Sequence, residues 1–182
     1  MKTAILDLER LPERGEVVIN AEGHIAGRLA TYIAKALLEK PGLRIVVVNA
    51  EKLVVTGDEK MVVEWFKRKI SEWGTHYNPE KAGPKIPRRP DRVFKRMVRG
   101  MLPKRAESGR RALKRLRVYV SVPMELLSRK RLVVYEVPPA KLRMRPLAKY
   151  VTLEEVWRQV DPAAWEQWKK AQELWQKRLK PS

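Results

Sequence analysis

The chain predicts an α/β protein: a three-layer α/β/α sandwich carrying a basic loop-and-helix insertion and a C-terminal helical extension. Three observations predict it. Two β-branched runs alternate with two stretches of helical periodicity between residues 16 and 73, the pattern of parallel strand pairing. Residues 81–117 then hold 15 Lys and Arg against 2 Asp and Glu, whereas residues 1–80 hold 12 of each. Residues 150–182 return to near neutrality and set tryptophans at helical spacing.

The elements follow in order. Glu16 to Asn20 (EVVIN) is a short β-branched strand. Ala21-Glu22-Gly23-His24 turns it into a helix over Ile25–Lys40, where Ile25, Leu29, Ile33 and Leu37 recur every four residues. Pro41-Gly42 stops that helix. Leu43 to Val48 (LRIVVV) is a second strand, apolar almost throughout, as when both sheet faces are covered. Lys52 to Thr56 is a short extended piece. A helix near 59–73 follows, with Val62, Trp65, Phe66, Ile70 and Trp73 on one face and Gly74 as its C-cap.

The basic stretch has its own order. Residues 75–90 carry four prolines and a glycine and read as an irregular loop. Asp91 is the expected N-cap of a helix ending at Leu102, with Val93, Met97 and Met101 repeating at i+4 and Phe94 and Val98 beside them. Arg92, Lys95, Arg96 and Arg99 take the other side. Glu107 to Leu116 repeats the scheme: Ala112, Leu113 and Leu116 inward, Arg110, Arg111, Lys114 and Arg115 outward. Arg117 to Val122 reads as a strand returning to the sheet. The cations are therefore mounted on folded helices. A merely solvated face mixes signs, and 15 against 2 is not mixed, so the partner is a polyanion.

Composition excludes much else. At 182 residues the chain fills one core, and it has no cysteine for disulfides, thiolate metal sites or nucleophiles. With only His24 and His76, no metal or other cofactor is expected. The N-terminal residues have no apolar run of signal-peptide length and no segment approaches membrane-spanning length, so a cytosolic protein is expected. Zinc-finger spacing, a leucine zipper and the aromatic signature of an RNA-recognition motif are absent. A membrane-binding helix would leave its apolar face free to insert, whereas these helices spend theirs on the core. Structured RNA, gripped at its phosphates, fits best.

Particular residues now carry a resemblance. Asn20-Ala21-Glu22-Gly23-His24-Ile25-Ala26-Gly27-Arg28-Leu29-Ala30 resembles the opening motif of the universal L-thirteen family of large-ribosomal-subunit proteins. Val48-Asn49-Ala50 with Val55-Thr56-Gly57 is similar to its second signature. Val98-Arg99-Gly100-Met101-Leu102-Pro103-Lys104 is similar to its most distinctive one, followed by Leu116, Val118 and Tyr119. The likeness spans roughly residues 16–138, and the segment from Trp73 to Arg88 and the tail after 140 look like the archaeal branch. The resemblance implies a small, mostly parallel sheet, no catalysis, and a structural constituent that binds and stabilises large-subunit ribosomal RNA, supports assembly and is monomeric within the ribosome. The expected division is an N-terminal lead (1–15), the RNA-binding domain (16–138), and a basic arm with a helical extension (139–182).

Gly23-x-x-x-Gly27 also invites a nucleotide-binding reading, but it is neither a dinucleotide fingerprint nor a P-loop. The turn could instead offer backbone N–H groups to an RNA phosphate, with His24 and Arg28 nearby. Gly57-Asp58-Glu59 suits a helix start. In Gly100-Met101-Leu102-Pro103 the glycine is expected to admit a close neighbour and the proline to fix the helix exit. The expected RNA contacts are His24, Arg28, Lys85, Arg88, Arg89, Arg92, Lys95, Arg96, Arg99, Lys104, Arg105, Arg110, Arg111, Lys114 and Arg115. A second patch adds Arg129, Lys130 and Arg131, then Lys141, Arg143, Arg145 and Lys149 on an arm extended by Pro138, Pro139 and Pro146. Thr152 with Glu155 forms a capping box and Asp161 caps a longer helix. Its tryptophans, Trp165, Trp168 and Trp175, either pack on their own domain, dock on neighbouring ribosomal proteins or stack on bases. A free-standing RNA-binding regulator uses the same surface; a nucleotide- or RNA-processing enzyme would need a phosphate loop or clustered acids and bases.

Overall fold

Seven strands and seven α-helices build the fold in a computed structural model that describes residues 2–5, 11–72, 78, 86–127, 133–140 and 149–179. The main sheet has the order β1-β6-β2-β3-β5, with β1 Lys2–Ile5, β2 Arg14–Asn20, β3 Gly42–Val48, β5 Leu116–Val118 and β6 Val133–Glu136. Every pairing in it is parallel. β4 (Val54–Thr56) and β7 (Tyr150–Thr152) form a separate antiparallel pair.

Strand alternation explains the apolar runs. Val17 and Ile19 of β2 and Leu43, Ile45 and Val47 of β3 face one cluster with Leu29, Ile33 and Leu37 of α1 (Ala26–Glu39). Val18, Val46 and Val48 point the other way, against Val134 and Leu126 of the short α5 (Met124–Leu127). The layer on the first face is deep and contains α1, α3 (Pro90–Met101) and α4 (Glu107–Lys114), with α2 (Glu59–Ser71) and α6 (Leu153–Val160) beyond. The second layer is thin. Gly42 is required where it sits, because a Cβ there would lie 2.6 Å from Cγ of Arg14, its register partner on β2.

Several expectations change. On α2 the buried residues are Val63 and Phe66, while Trp65 is 51% exposed; the stripe is shifted because α2 rests on α6 and β7 rather than on the sheet. Trp73, Gly74 and most of the 75–90 loop lie outside the described residues. α3 starts at Pro90, one residue before the expected cap, since proline at the first helical position loses no hydrogen bond and its φ is already helical. Asp91 then sits in the first turn, favourable for the helix dipole. The strand expected over 117–122 ends at Val118, before the chain turns through Ser121 at φ +63°. The extended arm does not begin at Pro138: Pro138–Ala140 is a 3-10 turn with Ala140 buried against α1, and 141–148 lie outside the described residues. Strands β1, β6 and β7 are additions to the sequence reading.

The C-terminal helices meet expectation. Thr152 and Glu155 form the capping box of α6, and Asp161 Oδ1 accepts from Ala164 N–H at the start of α7 (Pro162–Leu179). Trp157 of α6 is buried, and Trp168 of α7 packs on it with ring centroids 5.4 Å apart. Among the described residues no helix is long and apolar enough to cross a membrane.

Candidate nucleic-acid interface

α3 buries Val93, Phe94 and Val98, so the rest of its circumference must face outward. Arg92, Lys95 and Arg99 do so fully, and Arg96 is half-buried. α4 is held against the exit of α3 by Gly109, not by Gly100. A Cβ on Gly109 would lie 2.1 Å from the Pro103 carbonyl oxygen, whereas one on Gly100 meets nothing within 4 Å. The close approach expected at Gly100 thus belongs to Gly109. With Gly109 and Ala112 buried, Arg110, Arg111 and Lys114 are exposed, as are Lys104 and Arg105 on the connecting loop.

These side chains line two adjoining concavities. One, about 440 Å³, is bounded by Arg92, Lys95, Arg96 and Arg99 with Ile86, Pro87 and Leu113. The other, about 320 Å³, is bounded by Arg99, Lys104 and Arg110 with Leu102, Pro103, Gly109 and Leu113. Arg99 and Leu113 belong to both, so the two form one trough. Among the described residues Arg92, Lys95, Arg99, Lys104, Arg105, Arg110 and Lys114 carry no ion pair. Arg28 is exposed in the first turn of α1. One turn on, Thr31 Oγ lies 3.5 Å from Met101 Sδ, which brings Arg28 beside the end of α3.

Other cations are partly or wholly committed. Arg111 pairs with Glu107 at 2.6 Å, Arg89 with Asp91 at 3.3 Å and Arg88 with Asp161 at 3.8 Å. The Arg111–Glu107 pair is exposed on both sides, and a pair of that kind holds weakly and can be exchanged for phosphate; Asp91 and Asp161 are largely covered, with the arginine the exposed member. Lys149 pairs with Asp58 at 3.1 Å and so anchors β7 to α2; Asp58 occupies the N-cap position but spends its carboxylate on Lys149 instead of the backbone.

Two candidates are corrected. Arg115 does not face out: its guanidinium donates to the carbonyls of Leu37 (2.7 Å), Lys40 (2.8 Å) and Leu43 (3.0 Å). It closes the C-terminal end of α1 and ties it to β3, and burial holds its pKa below the usual arginine value. His24 is fully buried, where RNA cannot reach it. Val137 N–H donates to Nε2 at 3.0 Å, so the proton sits on Nδ1, which donates to Glu22 O at 2.9 Å. The neighbouring turn is also spoken for. Gly23, His24 and Ile25 give their N–H groups to the carbonyls of Lys52, Ala21 and Ala140. Lys85, Arg129, Lys130, Arg131, Lys141, Arg143 and Arg145 lie outside the described residues, as does the side chain of Trp175.

In open parallel α/β sheets small ligands bind beyond the carboxyl ends of the strands. Here that edge is filled from within. Asn49 Nδ2 donates to Asn20 Oδ1 at 2.8 Å, and buried Glu51 accepts from Ser121 N–H at 2.9 Å. Burial raises the Glu51 pKa against the lowering effect of the Ser121 backbone bond. Asn20 and Asn49, each in a motif of the family resemblance, thus stitch the end of β2 to the end of β3.

One cation beside the trough escaped the sequence reading: Lys69 of α2, whose pKa is lowered by burial and then by the charge of Arg96. Its ammonium lies 3.4 Å from the Trp65 ring centroid. The i, i+4 spacing of an outward tryptophan and a lysine was the available signal.

The model of the family described as Ribosomal protein L13 matches residues 14–125, more than half of the chain. The chain is 79% identical to the large ribosomal subunit protein uL13 of Pyrobaculum islandicum over 96% of this chain and 94% of that protein. It is 76% identical to that of Pyrobaculum aerophilum over the same shares, and 46% identical to that of Aeropyrum pernix over 81% of this chain and 91% of that protein. With its first two signatures joined at the ends of β2 and β3, its third on α3 and its cations gathered along α3 and α4, the chain belongs to the ribosomal protein L13 family, in its archaeal form.

Proposed function

We propose that this protein is a structural constituent of the large ribosomal subunit that grips large-subunit ribosomal RNA through the trough of α3 and α4 and supports subunit assembly. It works in the cytoplasm, on the ribosome, and catalyses nothing. The observation that carries the reading is the trough itself: Arg92, Lys95, Arg99, Lys104 and Arg110 line it with no carboxylate partner among the described residues, on α3, α4 and the loop between them, the helices being locked by Phe94, Val98 and Gly109. Such a surface binds phosphates by displacing counterions and reads shape rather than sequence.

RNA contact is assigned to Arg92, Lys95, Arg96, Arg99, Lys104, Arg105, Arg110, Lys114 and Arg28. Arg88, Arg89 and Arg111 join by exchanging their surface ion pairs. Lys85, Arg129 to Arg131 and Lys141 to Arg145 are added as RNA contacts on the basis of their charge in the sequence. Neighbouring large-subunit proteins are the other partners. Trp168 is committed to Trp157, so among the described side chains Trp165 is the candidate on α7. Gradient sedimentation of a lysate tests the reading: the protein is expected to travel with the large subunit at low salt. Recovery of all of it at the top of the gradient contradicts the proposal.

A further inference from the structure

We propose that the hollow between α2 and the start of α3 is a subsite for one unpaired RNA nucleotide, its base stacked on Trp65 and its phosphate held by Lys69 and Arg96. This deepens the RNA-binding reading above and rests on it.

The hollow measures about 180 Å³ and is lined by Trp65, Lys69, Ile86, Pro87, Arg96 and Met97, among others. It is smaller than the roughly 300–1,000 Å³ of a site for a drug-sized ligand, and of a scale for a single base. Ile86, Pro87 and Arg96 also line the first concavity of the trough, so a strand whose phosphates follow α3 arrives at the hollow without leaving the protein surface.

Trp65 is half exposed although it stands on a folded core. Its ring is braced edge-on by Phe66, with centroids 5.0 Å apart and planes at 81°. A rigid, outward aromatic beside cations is the arrangement by which proteins stack unpaired bases. Lys69 covers the ring in the absence of RNA. A base takes the ammonium's place, and the flexible lysine stem keeps its charge within reach of the same nucleotide's phosphate. Magnitudes favour the exchange. An exposed cation–π contact amounts to a factor of about 2 to 5 in an equilibrium constant, a stacked base to about 5 to 150. The lining holds two cations and no carboxylate, which suits the negative charge of a nucleotide better than an apolar protein surface.

The test uses the full chain and two RNA hairpins of equal length, one fully paired and one with a single bulged 2-aminopurine. The wild type is expected to bind the bulged hairpin at least about fivefold tighter and to quench its fluorescence. Trp65→Leu is expected to bring the affinity ratio close to one and abolish the quenching, leaving the salt dependence of the paired hairpin unchanged. Trp65→Phe keeps part of both effects and controls for the fold. Trp65→Leu with the wild-type ratio and quenching overturns the subsite, as does a wild type that binds both hairpins equally with steep salt dependence. Binding of neither hairpin, or binding indifferent to salt, overturns the RNA-binding reading and the subsite with it.

Discussion

Arg110 and Arg115 share a helix and its C-cap, and they do opposite things. Arg110 is exposed in the trough, whereas Arg115 satisfies three carbonyls at the junction of α1 and β3. Arg115→Ala leaves those acceptors unpaired or hydrated in a crowded junction and is expected to lower stability by about 1–3 kcal/mol, read by thermal unfolding. Arg110→Ala should leave the melting temperature alone and reduce the salt slope of RNA binding by about 1. Neither role was separable in the sequence, because the partners of Arg115 lie 72 to 78 residues away. The same is true of His24, whose Nε2 is engaged by Val137, 113 residues distant. Periodicity orients a side chain relative to its own helix and is silent about such partners. Glu51 permits a pH test. Its pKa is raised in the fold, so the folded protein holds that proton more tightly than the unfolded chain does. Ionising Glu51 therefore removes stability as pH climbs from the ordinary carboxylate range through the raised value. Glu51→Gln keeps an acceptor for Ser121 N–H and cannot ionise. Its stability relative to the wild type should rise across that window and then level off, measured as melting temperature against pH.

Helices were the most legible elements. α1, α3 and α4 are placed by apolar spacing to within a residue or two, and β2 and β3 by β-branched runs. The short strands were not: Val133–Glu136 and Tyr150–Thr152 are β-branched and aromatic but only four and three residues long, and Lys2–Ile5 is fixed by its pairing with residues far along the chain. A glycine's job is likewise set by what approaches it. Gly109→Ala is expected to push α4 off the Pro103 carbonyl and to cost about 1–3 kcal/mol. Gly100→Ala, in open space within α3, should be neutral or stabilise by up to about 1 kcal/mol. Equilibrium unfolding of the pair reads the contrast, and RNA affinity should fall only for Gly109→Ala, whose trough is misaligned.

For the molecule as a whole, charge and packing divide the labour. The deep layer of α1, α3, α4, α2 and α6 supplies a rigid base, and α7 is pinned to it through Trp157 and Trp168. The net charge of +19 matters only because the fold gathers a large part of it into one trough. The charge map along the sequence points to that trough, and the structure withdraws the buried His24 and the carbonyl-bound Arg115 from it. The direct measurement is the affinity of the purified protein for large-subunit RNA between about 50 and 200 mM salt, beside a variant with Arg92, Lys95, Arg99 and Arg110 changed to alanine. Phosphate contacts from the seven exposed cations without an ion pair among the described residues predict, on their own, a log–log slope of about −5 to −6, at least about a thousandfold loss over that range, and a slope shallower by about 3 in the variant. An affinity that hardly responds to salt, or a folded variant that binds like the wild type, would contradict the account.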